Sequence, residues 1–84
     1  MPMTRNALAV LRAIETFEEG HAYPPSYRDL MRMTGLRSSN TVGYHIKNLA
    51  HMGLVQREPN LARVVTISEA GRAWLREGVM QPST

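Results

Sequence analysis

The stretch TGLRSSNTVGYHIKNLAHMG, from Thr34 to Gly53, constrains this chain more than any other part of it. It predicts a tight turn at Gly35 feeding a helix that Ser38 or Ser39 caps and Gly53 ends. At about 100° per residue, Val42, Ile46 and Leu49 share one narrow stripe with Ala50 at its edge, so that side is built for burial. Asn40, Tyr44, Lys47 and His51 fall about half a turn away. This outer row contains no Asp or Glu, whereas an ordinary solvated face mixes both signs. It suits a polyanion.

The 84 residues suffice for one small domain, expected over residues 1–84, and leave no room for a second core. The apolar share of 43% and charged share of 20% are those of a globular chain. No apolar run reaches the roughly 18 residues of a membrane span, and the amino end lacks a signal peptide's apolar stretch, so a cytoplasmic, nucleoid-associated location is expected. Cysteine is absent, which removes disulfides, thiol catalysis and thiolate metal sites together. His45 and His51 lie six residues apart, about 240° around a helix, and cannot close on one metal as an i, i+4 pair can. No metal and no cofactor are expected.

Net charge is +3, and it is concentrated in the middle of the chain. Between Gly20 and Thr66, Arg28, Arg32, Arg37, Lys47, Arg57 and Arg63 face only Asp29 and Glu58, a balance of +4. The remainder carries four basic residues against five acidic ones. Nine of the ten basic residues are Arg, the type suited to bidentate contact with phosphate or guanine, although surface solubility alone accounts for such a bias equally well.

Taken in order, Thr4 caps a first helix running to about Glu19, with Ala7, Val10, Leu11, Ile14 and Phe17 at helical spacing, Arg12, Glu15, Glu18 and Glu19 facing out, and Gly20 as its stop. His21 to Pro25 must be extended, because consecutive prolines deny the helix to Tyr23 and Pro24. Ser26 and Asp29 have the spacing of a capping box and open a second helix, whose apolar side is Tyr27, Leu30 and Met31 and which Gly35 ends. A short helix, a glycine turn and a longer helix with one polar face is the plan of a helix-turn-helix.

In the third helix, Gly43 costs about 0.5 to 1 kcal/mol relative to Ala. Close approach to the second helix or to a ligand would account for it equally. The helix start favours an anion, so the corner Arg37-Ser38-Ser39-Asn40 can hold a phosphate, while the serines cap in either case. Leu54–Arg57 and Ala62–Ile67 read as two β-branched strands forming a hairpin with Arg57 and Arg63 near its open end. Two strands alone are marginal and must lie against the helices as a wing. Ser68 caps a last helix through about Glu77, with Ala70, Ala73, Trp74 and Val79 apolar, and Met80 to Thr84 are expected to fray. The predicted fold is therefore mainly α with a small β-hairpin: a winged helix-turn-helix of three-helix core, two-stranded wing and carboxyl-terminal helix.

With Pro24-Pro25-Ser26, Gly35-Leu36-Arg37-Ser38-Ser39-Asn40, Val42, Ile46, Leu49 and Gly53-Leu54-Val55 in place, the span from Gly20 to Ile67 resembles the amino-terminal DNA-binding domain of the LexA repressor family. The resemblance implies a third helix in the major groove, with its amino end and outer row reading bases and the wing touching backbone. Carried over by position, it points to Ser38, Asn40, Thr41, Gly43 and Tyr44 as base-reading positions. Gly43 and Tyr44 stand where that repressor carries acidic residues, so its operator does not carry over. The self-cleaving peptidase domain of the family, with its DNA-damage switch and dimer contact, is expected to be missing from this polypeptide. The closing Ile67-Ser68-Glu69-Ala70-Gly71-Arg72-Ala73-Trp74-Leu75 is similar to the last wing strand and following helix of small winged-helix regulators.

These features together predict a protein that binds duplex DNA and controls transcription, as a repressor. Asn40 suits adenine, Thr41 and Tyr44 offer hydroxyl or apolar contact to a base, and Lys47 suits guanine or phosphate. Arg37, Arg57 and Arg63 are placed to grip phosphates, and Arg28 and Arg32 are either phosphate contacts or the wet side of the second helix. His51 lies where such a helix leaves the groove. Trp74 and Leu75 either pack against a mate in a homodimer or cover the first helix within one monomer. The competing function is a winged helix that holds a protein partner, as an antirepressor or assembly factor does. An enzyme finds no support: there is no nucleophile with a base at helical spacing, no carboxylate pair and no Gly-rich phosphate loop.

Overall fold

A computed structural model describes residues 3–57 and 64–77. The elements run α1 (Arg5–Gly20), α2 (Tyr27–Thr34), α3 (Ser39–His51), β1 (Val55–Arg57), β2 (Val65–Ile67) and α4 (Glu69–Glu77). This is the expected helical core followed by a wing and a last helix. The expected start of the second strand at Ala62, Arg63, Val79 and the fraying of Met80 to Thr84 fall outside the described residues.

Each helix starts where a side-chain oxygen is available for an orphan amide. The Thr4 hydroxyl accepts from the Ala7 amide at 3.0 Å. Ser26 and Asp29 form a complete capping box, the Asp29 amide donating to Ser26 Oγ and the Ser26 amide to Asp29 Oδ2. Gly35, at φ 82°, ends α2 with its amide on the Met31 carbonyl, in a left-handed conformation that glycine adopts without strain. Gly20 does not end α1 in that way: it is the last helical residue, and His21 is extended. The His21 imidazole closes that end instead, donating from Nδ1 to the Phe17 carbonyl at 2.9 Å and stacking on the Phe17 ring at 3.7 Å.

The core lies where α1, α2 and α3 meet and the strands close over them. Val10, Leu11, Ile14, Leu30, Val42, Ile46, Leu49 and Val65 are wholly buried. The strands pair antiparallel with Val55 opposite Ile67 and Arg57 opposite Val65. An isolated bridge between Ser26 and Val64 adds the segment ahead of α2 as a third line of pairing. A hairpin of three residues a side is marginal by itself, and this bridge ties it to the helix-turn-helix.

Two sequence expectations change here. Glu18 does not face out: its carboxylate accepts the Ile67 amide at 2.8 Å and the Arg72 guanidinium at 3.0 Å, joining α1, β2 and α4. In α4, Ala70 is exposed and Gly71 is buried, because the helix docks by its backbone. A Cβ on Gly71 would overlap the Leu54 carbonyl and lie 2.8 Å from Ile67 Cγ1. Ser68 completes that joint, its hydroxyl donating to the Gly53 carbonyl at 2.7 Å and accepting the Gly71 amide at 3.0 Å. Trp74 and Leu75 are half-buried against the chain's own core.

Candidate nucleic-acid interface

The turn between α2 and α3 is held by short, local bonds. Thr34 Oγ1 donates to the Leu30 carbonyl at 2.7 Å and accepts the Leu36 amide at 3.3 Å. Ser38, not Ser39, is the cap of α3, accepting the Asn40 amide at 3.0 Å and the Thr41 amide at 3.4 Å. Those two amides, with that of Val42 on the Ser38 carbonyl, are satisfied within the chain. An anion at this corner is therefore left to Arg37, the amide and side chain of Ser39, and the helix dipole.

Val42, Ile46 and Leu49 are buried without residue, which fixes the rotation of α3. Asn40, Tyr44, Lys47 and His51 consequently all face solvent, with Tyr44 62% exposed. Arg37 stands exposed at the foot of the same helix, while Ser38, Ser39, Thr41 and Gly43 are half-buried along its edge. The outer row is free of acidic groups over the whole helix, because α3 contains none. Arg57 is exposed at the far end of the described wing, opposite Val65. Arg63 lies outside the described residues.

Gly43 faces α2, where an added Cβ would meet Tyr27 Cε2 at 3.4 Å, the limit of ordinary contact. Helix packing does not require glycine there. Arg32 is committed, its guanidinium 2.7 Å from Asp29 Oδ1, whereas Arg28 is exposed. The Ser26 amide holds the Asp29 carboxyl below its ordinary value; burial, the next largest effect, opposes it, and the Ser26 hydroxyl and Arg32 add to the lowering.

Sequence reasoning missed His45. It is 7% exposed on the edge of the buried stripe, its ring edge-on to Tyr44 with centroids 5.4 Å apart. A polar residue next to an apolar stripe carries no sequence signal of burial, because only the approach of α1 covers it.

A helix-turn-helix whose second helix shows an acid-free face, followed by a wing bearing arginine, defines a winged helix-turn-helix DNA-binding domain. Residues 1–64 match the family model described as the LexA DNA binding domain, and the chain belongs to that family. It is similar to the LexA repressor of Moorella thermoacetica, 41% identical over 58 residues that make up 69% of this chain and 28% of the relative. Against the LexA repressor of Limosilactobacillus reuteri it is 38% identical over 64 residues, 76% of the chain and 31% of the relative. With that of Anaeromyxobacter dehalogenans the match is 36% over 76 residues, 90% of the chain and 33% of the relative. The chain thus spans about a third of the length of these relatives. Among the described residues no helix is long and apolar enough to cross a membrane.

Proposed function

We propose that this chain binds duplex DNA sequence-specifically and represses transcription, reading the major groove with α3 in the cytoplasm. The observation that carries the reading is the outer row of α3, exposed along its length and free of carboxylates while its opposite side is locked into the core. Asn40 is set to pair with adenine, Thr41 and Tyr44 to meet a base edge or a thymine methyl, and Lys47 to reach guanine or phosphate. Ser38 contributes chiefly by holding the helix start, since its oxygen already accepts two amides. Arg37, Ser39 and Arg57 contact phosphates and set orientation, and Arg63 is assigned the same role from its place in the sequence.

One such domain makes few contacts, so two copies on a palindrome about one helical turn apart are proposed. The faces of Trp74 and Leu75 left uncovered by their own core supply the contact between the copies. A monomer by sedimentation at tens of micromolar, with and without operator, would remove the dimer.

Selection of bound fragments from a random duplex pool tests the main reading. Asn40→Ala and Tyr44→Ala should each lose preference at one base position, while Arg57→Ala should weaken all sequences alike. Affinity should fall with salt by about 0.9 log unit per log unit for each phosphate neutralised. Binding that ignores salt and sequence would favour a protein partner instead.

A further inference from the structure

Behind the exposed row of α3, facing away from α2, lies a cavity of about 180 Å³ between that helix and the start of α1. Met3, Ala7, Leu49 and Met52 form its apolar wall, and Thr4, His45 and Asn48 are polar members of its lining. Tyr44 stands at its rim and also belongs to the outer row of α3. His45 is more than nine-tenths buried, and among the described residues its ring contacts Tyr44 but has no hydrogen-bond partner. Buried polar groups are paired in almost every folded protein, so a ring nitrogen left over in an apolar cavity marks a place where a partner from outside the chain belongs.

The lining defines the chemistry of that partner. A cavity of about 150 Å³ suffices for a single aromatic ring. Two methionine thioethers and the ring of His45 favour an aromatic body over an aliphatic one. Among the described residues no charged side chain lines the cavity, so an ionised ligand would be desolvated there without compensation from them. We propose that this cavity binds a small neutral molecule of one aromatic ring carrying a hydroxyl or similar donor, the ring among Met3, Leu49 and Met52 and the donor on the unpartnered His45 nitrogen, and that occupancy is coupled to DNA binding through Tyr44. The coupling rests on the proposed role of Tyr44 in the groove; the site itself does not.

Phenol is the probe, benzene its apolar control, and the full chain without DNA the first sample. Phenol should saturate NMR shifts confined to His45, Leu49, Met52 and their neighbours, and bind about tenfold tighter than benzene. In His45→Phe that preference should vanish. Met52→Phe, which narrows the cavity but keeps the imidazole, should weaken both probes together, so that a misfolded first variant does not decide the outcome. Shifts spread over the surface, or equal affinity for both probes in the unaltered chain, would overturn the site. With operator added, saturating phenol should change duplex affinity roughly fivefold or more, and not in His45→Phe. Binding in the cavity with unchanged duplex affinity would overturn the coupling, and binding there by a chain that holds no duplex would sustain the site while overturning the DNA reading.

Discussion

Two helical glycines look alike in the sequence and have opposite meanings. At Gly71 a methyl group has nowhere to go, since Leu54 backbone and Ile67 occupy its place. Gly71→Ala should therefore lose roughly 1–3 kcal/mol in urea unfolding, with α4 undocking from the wing. At Gly43 the methyl group would only touch the Tyr27 ring. Gly43→Ala should stabilise the fold by about 0.5 to 1 kcal/mol and, under the proposed docking of α3 in the groove, should weaken operator binding. Equal duplex affinity for that variant would overturn a DNA contact at Gly43.

At the scale of elements, the stability of α2 rests on its cap. Ser26→Ala should cost about 1 kcal/mol by leaving the Asp29 amide unpaired. Asp29 gives the cap a pH dependence. Its folded-state pKa lies below the ordinary 3.8, so its contribution is complete above that value and disappears as pH falls through the lowered one. Unfolding of Asp29→Asn should consequently show a flatter acid limb below about pH 4 than that of the unaltered chain. The element starts were readable because caps are local: Thr4, Ser26, Ser38 and Ser68 each bond an amide two or three residues on. The end of α1 was not, because a histidine stacked on Phe17 does there what a left-handed glycine does after α2.

For the whole molecule, Glu18 is the joint among first helix, wing and last helix. Glu18→Ala should cost roughly 1–3 kcal/mol by stranding the Ile67 amide and should speed amide exchange in β2 and α4 more than in α2. Sequence by itself determined which side of α3 is inward, since aliphatic residues at helical spacing leave a helix one way to bury them, and with it the acid-free row that meets solvent. It determined the order of elements and the caps of α1, α2 and α4 for the same reason, their causes lying within a few residues, and narrowed that of α3 to Ser38 or Ser39. Only the tertiary structure decided that Glu18 turns inward, that Gly71 rather than Ala70 is the docking surface of α4, that Ser26 extends the wing, and that His45 is enclosed. Each of these depends on a neighbour far away along the chain, and no local pattern records how closely two distant backbones approach.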